Sequence, residues 1–251
     1  MKSHGLIMQP HSVRSMLAGI KTETRRIPSP RNCTFDGGAW PKELNHPSAA
    51  WKTQMDWKNA KIDPGGEGNP FSLYPYLHVP WLNYNDTTHR IYPRIQPGDE
   101  IWIKEAFAFI HISKDFDTGI ADDFWGSKDI PHTATDYWIA QYKADPHHED
   151  DVDDRGFPWR SPMYMPRHAA RIVRRVESVG FEFLQDITPA GAMAEGINPN
   201  SDKPWPDHLW SDRAILLQFE DLWDSINAKR GYPWSANPPV MVIKFGKENL
   251  V

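Results

Sequence analysis

Proline occurs 23 times in this chain and glycine 16 times, and this punctuation limits the fold more than any other feature. Proline ends helices and is kept out of central strands, while glycine marks turns. Short elements joined by irregular chain are therefore expected, in a protein of 251 residues, long enough to bury a real core. The longest unpatterned stretches lie at about 29–95 and 113–162 and read as two loop-rich insertions in one domain spanning the whole chain. The first is too aromatic for a disordered linker: Trp40, Trp51, Trp57, Trp81, Tyr74 and Tyr76 are expected to pack onto the body or shape a pocket rim.

Elsewhere the pattern is clearer, and the second insertion itself holds one strand candidate. Val13, Met16 and Leu17 recur at helical spacing after Ser12 as a capping residue, and Gly19 stops the helix. Lys21–Arg26 alternates threonine with charge, as a short strand does. A turn at Pro97-Gly98-Asp99 feeds a strand over Ile101–Phe109, and Asp136–Lys143 is a further strand candidate. Ala169–Phe183 reads as a long or bent strand pair with Gly180 as the bend. Thr188-Pro189 opens a helix that Gly196 closes. A second helix over Ser211–Ile226 presents Ile215, Phe219, Leu222, Trp223 and Ile226 as one stripe, and Val240–Phe245 is the closing strand. Strands with few helices imply a mixed α+β barrel.

Charge and composition remove several function classes. The net charge of -5 argues against coating nucleic acid by bulk attraction. Local contrast is stronger: an acidic run from His147 to Asp154 precedes a basic stretch with Arg167, His168, Arg171, Arg174 and Arg175, whose alternation suits either phosphate contacts or a solvated strand face. Cys33 is the single cysteine, so no internal disulfide or thiolate zinc cage is expected. No metal or cofactor is expected, since adjacent histidines on a loop rarely converge without further ligands. Phosphate-cradling loops, serine-hydrolase elbows and zinc-protease helices have no motif here. The first ten residues carry no apolar run for a signal peptide, and no apolar stretch reaches the roughly 18 residues of a membrane span, so a cytoplasmic protein without a membrane partner is expected.

Five blocks then stand in order: Gly19-Ile20-Lys21-Thr22-Glu23-Thr24-Arg25-Arg26; Pro97-Gly98-Asp99 with Trp102 and Glu105; Met165-Pro166-Arg167; Leu184 to Gly196; and Leu222-Trp223 through Phe245. Together they resemble the ASCH family of PUA-like proteins, in the longer form met in bacteriophage and prophage proteins. The resemblance covers neither insertion. It implies a PUA-like β-barrel with flanking short helices, in which a Gly-x-Lys-x-x-Thr-x-Arg signature lies at a nucleobase-sized pocket. It also implies a link to the small bacterial branch that hydrolyses the amide of 4-acetylcytidine with a lysine, a threonine and a later glutamate. Lys21, Thr24 and Glu195 fall on those positions, and Arg26 on the basic residue after the threonine. Two departures stand out: Gly191 replaces an acidic residue frequent in the longer relatives, and His168 replaces a tryptophan.

Such chemistry needs a base for the threonine hydroxyl, and a lysine serves once desolvation lowers its pKa from about 10.4. Glu195 would hold and relay a proton to the leaving amine, with Arg26 or backbone amides at the oxyanion. Residues 21 and 24 of a regular strand face opposite sides, so Lys21 must sit in the turn or at a bulge for the pair to converge. The plainer alternative makes Lys21 and Arg25 solvated charges, Thr24 an ordinary strand residue and Glu195 a solvent-facing end of a helix. Glu105, Arg167 and Arg171 are further substrate-binding candidates. Two functions follow from these features: deacylation of 4-acetylcytidine or a related base, or non-catalytic reading of RNA or modified DNA, with a nucleoside or nucleic acid as partner in either case.

Overall fold

A computed structural model describes residues 1–29, 31–35, 60–65, 76–80, 88–111, 138–145, 157–197 and 211–250. In chain order the elements are β1 (Ser3–Ile7), α1 (Pro10–Leu17), β2 (Glu23–Arg26), β3 (Cys33–Phe35), β4 (Lys61–Asp63), β5 (Tyr76–Pro80), β6 (Thr88–Pro93), β7 (Glu100–Lys104), β8 (Phe107–His111), β9 (Trp138–Tyr142), β10 (Val173–Phe183), α2 (Pro189–Ala194), α3 (Asp212–Asn227) and β11 (Pro239–Phe245). The class is mixed α+β. Among the described residues the strands form open sheets and no closed barrel. The chain divides into two compact units, one of Met1–Gly19, Glu100–Arg175 and Lys247–Val251, the other of Ile20–Asp99 and Val176–Gly246.

In the first unit β1 pairs in parallel with β7, and the opening residues of β10, Val173–Arg175, pair antiparallel with β7. The strand expected over Ile101–Phe109 is two strands, β7 and β8, separated at Glu105 and Ala106; β8 pairs antiparallel with β9. β9 falls inside the strand expected over Asp136–Lys143. Helix α1 begins earlier than its serine suggested: Gln9 is the N-cap and Pro10 takes the first turn, where its missing amide hydrogen costs nothing. Val13 and Met16 are buried, whereas Leu17 is exposed.

In the second unit β11 lies between β10 and β2, antiparallel to both. β10 is one strand of 11 residues rather than a pair. Its irregularity lies at Glu177, where the register passes from Val176 opposite Phe245 to Ser178 opposite Lys244, while Gly180 pairs regularly with Val242. The first insertion holds a four-stranded antiparallel sheet in the order β3-β6-β5-β4, around Leu77, Val79 and Ile91, all fully buried. Of its rings named above, Tyr76 is buried, and the other five lie outside the described residues, as does the acidic run.

The main core of this unit fixes both later helices. Ile215, Phe219 and Trp223 of α3 pack with Leu184, Ile187 and Ala192, around and within α2. Ile226 departs from the expected stripe: it is exposed, and Asn227 is buried beyond it, its side chain donating to the Trp223 carbonyl at 3.3 Å. Ser211 caps α3, accepting from the Ala214 amide at 3.3 Å. No described helix is long and apolar enough to cross a membrane.

Candidate active site

The signature residues meet the later helix because of two turns. Gly19 ends α1 with φ of 69°, a left-handed conformation that suits glycine. The chain then passes through Lys21 and Thr22 before β2 begins at Glu23, so Lys21 lies outside the strand and escapes its alternation. The Thr22 amide donates to the Ala194 carbonyl at 2.8 Å, and the Thr22 carbonyl accepts from Phe245 at 2.9 Å. Thr188 caps α2, its hydroxyl accepting from the Gly191 amide at 3.1 Å, with Pro189 in the first turn. Glu195 is the C-cap of α2 and Gly196 leaves it with φ of 101°.

Lys21, Thr24 and Glu195 are all buried, at 4%, 4% and 7% exposure, against the solvated alternative. Lys21 Nζ donates to the Glu195 carbonyl at 2.7 Å and pairs with its Oε2. The Arg25 amide, on the edge of β2 away from β11, donates to Glu195 Oε1. Both carboxylate oxygens are thus engaged. Burial draws the Lys21 ammonium below its ordinary value; Glu195 opposes that shift, and Arg26 and Arg25 add to it. Arg26 is lowered by burial too, with Glu195 opposing. A guanidinium starts so far above neutrality that it keeps its charge.

Thr24 and Arg26 share one face of β2, and Glu23 and Arg25 the other. Among the described residues no hydrogen bond joins the Thr24 hydroxyl to Lys21 or Glu195. The structure therefore assembles the lysine and glutamate directly, and leaves the threonine on the neighbouring strand opposite Ile243. The expectation that Arg25 is an ordinary surface charge fails: it is 7% exposed. Its Nε donates to Glu182 Oε1 at 2.6 Å, and its Nη1 lies 3.3 Å from Glu23 Oε2 and 3.5 Å from Glu195 Oε1. Glu23 in turn pairs with Lys244 at 2.8 Å. The one signal for Arg25 in the sequence is that it shares a strand face with Glu23.

The other candidates belong to the first unit. Glu105, buried at the break between β7 and β8, takes both Arg171 Nε at 2.9 Å and Nη2 at 3.0 Å, a two-pronged pair. Arg171 Nη1 donates to Asp145 at 2.6 Å, and its guanidinium lies 4.0 Å from the Tyr142 ring centre. Burial raises the Glu105 carboxyl although Arg171 opposes it. These two residues hold each other. Arg174 is likewise engaged, donating to Asn249 at 2.6 Å. Arg167 is exposed, with its guanidinium 5.9 Å from the Trp102 ring, which Lys104 also approaches at 5.3 Å. Met163 and Tyr164 are exposed, 55% and 67%, and Lys104 donates to the Met163 carbonyl at 2.6 Å.

Among the described residues no three His, Cys, Asp or Glu side chains gather as metal ligands would. Burial pushes the Cys33 thiol up to about 12, which leaves very little of it as the reactive thiolate. No family model, curated protein or solved structure matches the chain.

Proposed function

We propose that this is an ASCH-type protein of the PUA-like class whose second unit removes an acyl group from an exocyclic nucleobase amine, with 4-acetylcytidine as the reference substrate. The observation that carries the reading is Lys21, placed between the Gly19 turn and β2, buried against Glu195 and lowered in basicity by that burial. Neutral Lys21 takes the proton of the Thr24 hydroxyl as its oxygen attacks the amide carbonyl. Arg26, on the same strand face as Thr24, stabilises the tetrahedral oxyanion. Lys21 passes the proton across its contact to Glu195, which gives it to the departing base amine as the C–N bond breaks. Water then releases the acyl group from Thr24, with Lys21 taking the water's proton and returning one to Thr24.

Hydrolysis of 4-acetylcytidine, followed as cytidine and acetate, tests the scheme. Lys21→Ala, Thr24→Ala and Glu195→Ala are each expected to lower kcat by about a hundred- to ten-thousand-fold with circular dichroism unchanged. Absence of turnover by the unaltered protein would sink the scheme.

A second reading, non-catalytic binding of RNA or modified DNA, draws support from the first unit. There Tyr164 is exposed, and Lys104 and Arg167 both lie over the Trp102 indole. Aromatic faces beside cations suit stacked bases and their phosphates.

A further inference from the structure

Glu195 has to choose which oxygen it offers to Lys21, and that choice is made outside the signature positions. Oε1 accepts from the Arg25 backbone amide, and Arg25 Nη1 stands 3.5 Å from it as an ion pair without a hydrogen bond; Oε2 is left for the lysine. The Arg25 guanidinium is itself fixed from the far side by Glu182 and Glu23. Its third nitrogen, Nη2, rests against α2 at Gly191. A Cβ on residue 191 would fall 2.9 Å from Nη2, 3.2 Å from Ile187 Cγ1 and 3.4 Å from Thr188 Oγ1.

Gly191 has no conformational need to be glycine. The described glycines with positive φ are Gly19, Gly65, Gly98, Gly196 and Gly231, whereas Gly191 lies in regular helix, where glycine is weaker than alanine. Its amide is held by the Thr188 cap and its carbonyl accepts from the Glu195 amide at 2.9 Å. The missing side chain therefore makes room for the guanidinium in the turn of helix that ends at Glu195.

We infer that Arg25 is the positioning residue of the Lys21–Glu195 pair and that Gly191 is its seat: the guanidinium docks α2 against β2 and aims Oε2 of Glu195 at the lysine. The consequence for turnover rests on the hydrolytic reading above; the positioning itself does not. Among the described residues the charged groups that act on Lys21 are Glu195, Arg26 and Arg25, and Arg25 acts against its protonation. Loss of the Arg25 side chain thus removes an opposing cation from beside the lysine, and leaves Glu195 held on that side by the residue-25 amide alone.

The test uses the full chain with Arg25→Met, Arg25→Lys, Gly191→Ala and, as control, Gly180→Ala, since a Cβ at residue 180 meets nothing within 4 Å. Two quantities are measured: the titration midpoint of Lys21 Nζ by nitrogen-detected NMR without substrate, and kcat and KM for 4-acetylcytidine. Arg25→Met should raise the midpoint, since it removes a cation that opposes protonation. Arg25→Lys, which keeps the charge, should restore most of the midpoint but not the fork geometry. Gly191→Ala should shift the midpoint and lower kcat at least about tenfold with KM within about twofold, while Gly180→Ala changes neither. If Gly191→Ala titrates like Gly180→Ala, or if Arg25→Met leaves the midpoint in place, the positioning role is wrong. If the unaltered protein has no hydrolytic activity, the NMR arm still decides the positioning role, and only the hydrolytic reading falls.

Discussion

Lys21 combines two properties that oppose each other in a folded protein, a buried amine and a carboxylate partner. Burial is the larger influence and its direction is downward from 10.5. In the folded state the amine therefore binds fewer protons than in the unfolded state between its lowered midpoint and 10.5. Its contribution to stability rises with pH through that window, and below the lowered midpoint the cost of burying the protonated amine is fully present. Denaturant unfolding of the unaltered protein and of Lys21→Met, compared across pH 7 to pH 10.5, should show the difference between them changing in that direction. A difference independent of pH would show that Lys21 titrates normally. The same lowering gives kcat/KM an ascending limb, because only neutral Lys21 can accept the threonine proton. Lys21 was singled out by the signature and Glu195 by the later helix of the family resemblance, and the structure brings the two side chains together. Arg25 was not singled out in this way: one-dimensional spacing carries no sign that Gly191, more than 160 positions later, leaves room for its guanidinium.

Elements with a local signal came through well. The Thr188-Pro189 opening, the Gly196 exit and the Ser211 start are set by residues next to the helix they bound, so sequence is enough to find them. β10 went less well because its bend is a matter of pairing: the bulge at Glu177 is fixed by register against β11, and the glycine three positions on is incidental. The α3 stripe shows a similar limit. Its period places Ile226 with Phe219, yet the chain is about to enter the 3-10 turn Ala228–Arg230, and Ile226 faces outward. Phe219→Ala should cost about 3–5 kcal/mol, as truncation of a closely packed core aromatic does. Ile226→Ala should stay within about 0.5 kcal/mol of the parent. Chemical denaturation of the two variants measures the contrast, and comparable losses would mean that residue 226 is packed after all.

At the scale of the molecule, the mixed α+β class followed from punctuation and short periodic runs, whereas the sheet β3-β6-β5-β4 did not. Strands of three to six residues are too short to display a period, and they are recognised by the partners they find. Charge behaves in the same way. Two arginines of the basic stretch that looked ready for phosphate are engaged, Arg171 on Glu105 and Arg174 on Asn249, while Lys104 and Arg167 on the Trp102 ring came to light through tertiary contact. With a net charge of -5, the whole molecule repels a polyanion, so any binding of single strands must come from such a local group. Two cations displace few counterions. The logarithm of the affinity for a fluorescent oligouridine should then fall with the logarithm of salt at a slope of roughly -1.4, about -0.7 for each phosphate contact. Arg167→Ala should halve the slope. Tyr164→Ala should weaken binding by about 1–3 kcal/mol through lost stacking and leave the slope alone, since it removes no charge. A much steeper slope would place the phosphates on other cations, and unchanged affinity in Tyr164→Ala would remove the bases from this face.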